Sequence, residues 1–346
     1  MKNKLLITSA LVSGLVAFGT SAQAETKITG DYKLSYKMTS GVGAAAGEQG
    51  FGRETQINVS KSGELSNGLS YSTGFSFEAD GADTAGTSTN SSVVMSDEGV
   101  WLAVSSGDTT LLVGQDKAPN MDTDAVPRVG EVAATGASSQ ATKYDRDAGS
   151  IYGSFGVALT QKVAGGALTF NYVPNTGDVG QNKNDDASNI AGKSAYEVLY
   201  KGSLGVEGLT VYAGMNKKDL QQTVGNGSER SDMTNTAYGA GYNFGQFAIG
   251  FGVTNEEGAL NSAEIQLKEI GATFAASDNV SVGIGYAETS DEGTTANSLK
   301  EEVTYVQAGY NLGGVKLQAS YYNIENGGWT QANDYDVLLL RAGAAF

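Results

Sequence analysis

Lys27-Ile28-Thr29-Gly30-Asp31-Tyr32-Lys33-Leu34-Ser35-Tyr36-Lys37-Met38 alternates without a break. Successive side chains of a β-strand leave the backbone on opposite faces. One face of this stretch is therefore Ile28, Gly30, Tyr32, Leu34, Tyr36 and Met38, and the other is Lys27, Thr29, Asp31, Lys33, Ser35 and Lys37. The same period returns at 69–78, where Leu69, Tyr71, Thr73, Phe75 and Phe77 oppose Ser70, Ser72, Gly74, Ser76 and Glu78. It returns again at 246–254 and 279–287, with Phe247, Ile249, Phe251, Val253 and then Val280, Val282, Ile284, Tyr286 on the apolar face. A tilted strand crosses a bilayer with about 9–11 residues, and these runs, of 9 to 12 residues, are long enough to do so.

Working outward, the runs are joined by connections that alternate between short and long. Short turns fall near 61–68, 105–108, 162–166, 202–208, 245, 277–279 and 313–314. Longer polar stretches fall near 39–51, 79–93, 117–149, 174–193, 216–235, 255–263, 288–301 and 323–333. Seven short and eight long connections join sixteen strands. Short turns on one rim and long loops on the other are the plan of a closed membrane barrel. A soluble β-sandwich also alternates, but needs far fewer strands per domain of about 100 residues.

Residues 1–24 read as a secretory signal, with Lys2 and Lys4, an apolar stretch from Leu5 to Gly19, and Ala22-Gln23-Ala24 as the cleavage pattern. Cleavage would leave 25–346 as one domain and, with Lys2 and Lys4 gone, move the formal charge from −16 to −18. Beyond residue 24 no run approaches the roughly 18 apolar residues of a spanning helix; the longest, Val337-Leu338-Leu339-Leu340, stops at Arg341. An exported chain without such helices is either soluble or crosses the membrane as a closed barrel.

Composition closes most catalytic chemistry. The 346 residues include no His and no Cys, which removes Ser-His-Asp and Cys-His machinery, thiol nucleophiles, disulfides and the usual zinc ligands. With 38 acids against 22 bases the chain is a poor nucleic-acid binder. A hydrolase working with two carboxylates stays open, since the acids offer many pairs. Asp122-x-Asp124 and Asn184-Asp185-Asp186 are oxygen-rich candidates for Ca²⁺, but neither continues into an EF-hand loop. No other metal or cofactor is expected. The Gly-x-Gly pairs Gly250/Gly252 and Gly283/Gly285 lie within strands and read as small lumen-facing residues.

The carboxy-terminal Asp334–Phe346 segment ends in phenylalanine, with Leu338, Leu340, Ala342 and Ala344 on the same face. It resembles the closing strand of Gram-negative outer-membrane barrels. Together with Lys27–Met38 and the strand–turn–strand Trp101–Asp116, it makes the mature chain similar to the general bacterial porins, nearer to the alphaproteobacterial type. The Pro-Glu-Phe-Gly-Gly-Asp string of enterobacterial porins is replaced by Pro119-Asn120-Met121-Asp122.

The resemblance implies an all-β, transmembrane antiparallel barrel of sixteen strands whose third long loop, 117–149, folds inward. It implies a homotrimer in outer-membrane lipid and lipopolysaccharide, assembled by the barrel-assembly machinery with Phe346 as the signal, and passing small hydrophilic solutes. A pore selects by width and lining charge. On the loop side the candidates are Asp116, Asp122, Asp124 and Glu131. On the wall, parity places Lys33, Lys37, Lys316 and Arg341 in the lumen on strands that become neighbours at closure. Acids facing bases would give a transverse field, and the acidic balance implies some cation preference. Tyr36, Phe77, Tyr172, Tyr286 and Tyr310 are candidates for aromatic girdles. The other readings are a plugged structural or adhesin barrel and the carboxylate hydrolase.

Overall fold

Strict alternation lets one face meet lipid and the other water, provided the backbone is paired everywhere. In hydrocarbon each unpaired amide or carbonyl costs several kcal/mol, so a sheet must close on itself. The computed structural model describes residues 25–42, 47, 49–80, 94–115, 118–119, 121, 126–129, 155–174, 194–218, 233–259, 263–291 and 299–346. The signal segment 1–24 lies outside them.

Sixteen strands form the wall: β1 (Glu25–Gly41), β2 (Gln49–Glu64), β3 (Ser70–Asp80), β4 (Val94–Ser106), β5 (Thr109–Gly114), β6 (Gly156–Val163), β7 (Gly166–Val173), β8 (Ala195–Gly202), β9 (Leu209–Lys218), β10 (Met233–Phe244), β11 (Phe247–Ala259), β12 (Ala263–Ala275), β13 (Val280–Asp291), β14 (Glu301–Asn311), β15 (Lys316–Glu325) and β16 (Tyr335–Ala345). Each strand pairs antiparallel with its chain neighbours, and β16 pairs with β1, which closes the barrel.

The seam runs from Asp31↔Ala345 to Gly41↔Tyr335. Phe346 prolongs it: its amide donates to Gly30 O at 2.8 Å, and Gly30 N–H donates to Phe346 O at 3.0 Å. A Cβ on Gly30 would stand 2.5 Å from the Phe346 ring, so only glycine lets that ring lie against β1.

All seven short connections fall where the alternation breaks. The stretch at 255–263 does not behave as a long loop. β11 and β12 run on to Ala259 and from Ala263, with Glu257 opposite Glu264 and a bulge at Glu257/Ala259. Gln266 Nε2 donates to Asn255 Oδ1 at 2.7 Å across this extension, so polar residues continue the ladder. The third long connection is longer than 117–149, because β5 ends at Gly114 and β6 begins at Gly156.

Burial is inverted relative to a soluble protein. Ile28, Leu34, Phe51, Ile249, Phe251, Ile284 and Val306 are exposed on the outer face. Tyr36, Phe77, Tyr172, Tyr286 and Tyr310 belong to that outward face by register. Near the short turns Phe244, Phe247 and Phe274 stack in series, with ring centroids 5.7 and 4.7 Å apart. Such aromatic rings on the outer face match the girdle residues found at membrane interfaces.

Candidate functional site

The inner face carries the polar residues of the alternation, and the described part of the third long connection lies against it. Asn171 Nδ2 on β7 donates to Pro119 O at 2.8 Å. Met121 is buried with Leu199, Tyr212 and Ala237, over the space that Gly214 leaves open. Val126 and Pro127 sit over Gly271 of β12, where a Cβ would come within 2.8 Å of both. Val129 N–H donates to Gln307 Oε1 of β14 at 3.0 Å, and Gln318 Nε2 of β15 donates to Val129 O at 2.7 Å.

The strongest of these contacts is ionic. Arg128 Nε donates to Glu269 Oε1 at 2.9 Å, and a second guanidinium nitrogen pairs with Oε2. Tyr305 OH donates to the same Oε1 at 2.7 Å. The Glu269 side chain is fully shielded and that of Arg128 nearly so. A bidentate, hydrogen-bonded pair is the arrangement in which burying two charges is tolerable.

A second polar row runs across β7–β10 at one height. Asn171 and Asn216 both donate to the Glu197 carboxylate, at 2.9 and 3.2 Å, and Asn235 donates to Asn216 Oδ1 at 2.8 Å. All four side chains are buried. The row ties the wall where Pro119 attaches.

Towards the long connections, the inner face of β12–β16 carries an apolar cluster beside the inward Asp291 and Glu301. Leu267, Val303, Tyr305, Tyr322, Ile324, Tyr335 and Val337 are among its fully buried residues. Trp329, in a short 3-10 turn at Gly327–Trp329 between β15 and β16, packs on this cluster. Its indole N–H donates to Thr289 O at 3.1 Å, and Gly328 N–H donates to Glu301 Oε2 at 2.7 Å. That turn therefore reaches from the β15–β16 connection over β14 to β13.

Towards the short turns lies a cavity of about 620 Å³, lined among others by Asp31, Lys33, Lys316, Arg341 and, from the long connection, Arg128 and Val129. Lys33 and Lys316 both stand opposite Gly343, one from each side. Lys33 Nζ pairs with Glu54 and lies 4.0 Å from Asp31 Oδ2.

A closed sixteen-strand barrel with an apolar outside, a charged lumen and a loop fixed to its inner wall now has relatives to be set against. The family model for the Gram-negative porins matches residues 8–328. The chain belongs to that family. This porin is an outer-membrane channel protein. Its backbone is similar to a loop L8 deletion mutant of OmpT from Vibrio cholerae, at 14% identity over 94% of this chain and 100% of that one, with a TM-score of 0.65. OmpT of Vibrio cholerae expressed in the outer membrane gives 0.64 at 14% identity, over 95% and 99%. A triple mutant of Rhodopseudomonas blastica porin gives 0.60 at 15% identity, over 93% and 100%. No curated protein matches the chain.

The porin brings Lys33, Lys316 and Arg341 to one cavity; Lys37 stands further along β1, opposite Leu339. Asp116, Asp122, Asp124 and Glu131 lie outside the described residues, as do both candidate Ca²⁺ strings. Among the described residues no group of three or more acidic side chains could hold a metal ion. Sequence reasoning missed Glu269 as the partner of Arg128, and the Asn171–Glu197–Asn216–Asn235 row. Parity puts Glu269 and Glu197 on the inner faces of β12 and β8, each next to an inward leucine, and that was the available signal.

Proposed function

We propose that the connection after β5 is the constriction of a passive channel for small hydrophilic solutes and ions. The observation that carries this is the attachment of Pro119, Met121 and Val126–Val129 to the inner wall from β7 to β15, beside the basic wall of β15, β16 and β1 that lines the cavity. Asp116, Asp122, Asp124 and Glu131 on the loop, opposed by Lys33, Lys37, Lys316 and Arg341, would set the lining field, with a net preference for cations. The protein works as a homotrimer in lipid and lipopolysaccharide after removal of 1–24. Phe346 serves the assembly machinery. The channel carries no reaction centre and needs no cofactor.

The test is single-channel conductance of the mature protein in a planar bilayer under a salt gradient. Openings in steps of three, with a cation-positive reversal potential that falls in Asp122→Asn/Asp124→Asn, support the reading. A folded, inserted protein without conductance overturns it. That result would favour a closed structural barrel, the reading to which the apolar cluster under Trp329 lends weight.

A further inference from the structure

The inner wall is charged unevenly along its axis. Register places Lys27, Lys33, Lys162, Lys201, Lys316 and Arg341 on inward positions of the half nearer the short turns. Glu78, Glu197, Glu256, Glu269, Asp291 and Glu301 take inward positions nearer the long connections. Lys37 and Lys218 depart from this on one side, and Asp31, Glu54 and Glu64 on the other.

We propose that the 620 Å³ cavity on the short-turn side is a subsite for small polyanions bearing several carboxylate or phosphate groups, and that it makes the channel electrically asymmetric along its axis. Lys33 and Lys316 flank Gly343, whose missing side chain opens a bay between them, and Arg341 follows two residues along β16. Among the described residues no ion pair holds Lys316. The bridge from Lys33 to Glu54 is half exposed, and exposed bridges are worth little, so a polyanion can draw Lys33 away. Arg128 also lines the cavity, with its charge already matched by Glu269. A monovalent anion meets one base at a time in such a bay; a polyanion spans two or three of them.

This inference rests on the channel reading. The experiment adds citrate or pyrophosphate to one compartment of a bilayer holding the mature protein. The expected result is block that is stronger from one side than from the other. Lys316→Gln/Arg341→Gln should raise the half-blocking concentration about threefold or more, and Asn311→Lys, on the cavity lining, should lower it. The probe that blocks at lower concentration assigns carboxylate or phosphate as the preferred group. Equal block from both sides, or block unmoved by both variants, overturns the subsite while leaving the channel standing. Absence of any conductance overturns the channel reading itself.

Discussion

β16 presents two different inner faces along one strand. Tyr335, Val337 and Leu339 are buried in the apolar cluster under Trp329, whereas Arg341 and Gly343, a few residues on, line a charged cavity. Beyond Asp336 the outer face stays apolar, with Leu338 and Leu340 followed by Ala342 and Ala344. A barrel interior is therefore not polar by rule. It is polar where water fills it and apolar where protein covers it.

The sharpest way to break this contrast is to put the same charge in both halves. Val337→Asp would bury a carboxylate with no partner and should cost about 4 kcal/mol or more of stability. Gly343→Asp, beside Lys33, should cost less than about 1 kcal/mol and shift the reversal potential towards cations. Urea unfolding of both variants, with bilayer recordings of the second, checks the pair. Equal costs would mean that the two halves are equally wet.

Glu269 stands at the boundary, and Glu269→Ala would strand the Arg128 guanidinium. A loss of about 3–5 kcal/mol is expected, with noisier single-channel currents as the loop loses its ionic attachment. Quiet currents would show that the Gln307 and Gln318 contacts hold Val129 unaided. A smaller effect comes from Gly285, whose absent side chain accommodates the Tyr305 ring; an added Cβ would lie 2.1 Å from it. Gly285→Val should cost about 1–3 kcal/mol by tilting Tyr305 away from Glu269. Denaturant midpoints for Gly285→Val alone and with Tyr305→Phe measure the share that passes through the Tyr305–Glu269 hydrogen bond.

The wall was legible because lipid imposes period two on every strand, as Lys27–Met38 displays. The apolar run Val337–Leu340 was legible as a strand but not as one covered on both sides. Nothing local announces that Trp329, from the adjoining connection, lies across β13 and β14. The basic positions Lys33, Lys316 and Arg341 followed from parity plus closure. The Arg128–Glu269 pair did not, since its members are 141 residues apart and no periodicity links a loop to a distant strand. Loop chemistry is set by what the wall offers, and a linear string carries that information only as isolated charges.

The seam between Gly30 and Phe346 also governs timing. Every other strand can pair with the neighbour delivered just before it, but β1 must wait for β16. Its backbone groups stay open until the far end of the chain arrives, so the final event of folding joins residues more than 300 positions apart. Long-range pairing of this sort is slow, and an unpaired edge recruits other chains. Lysines along an exposed edge discourage such pairing, and a catalyst that covers the β1 edge until β16 arrives would shield it. Moving the termini to a short turn such as Gly313-Gly314 would make the β1–β16 hairpin local and shift the delay to β14 and β15.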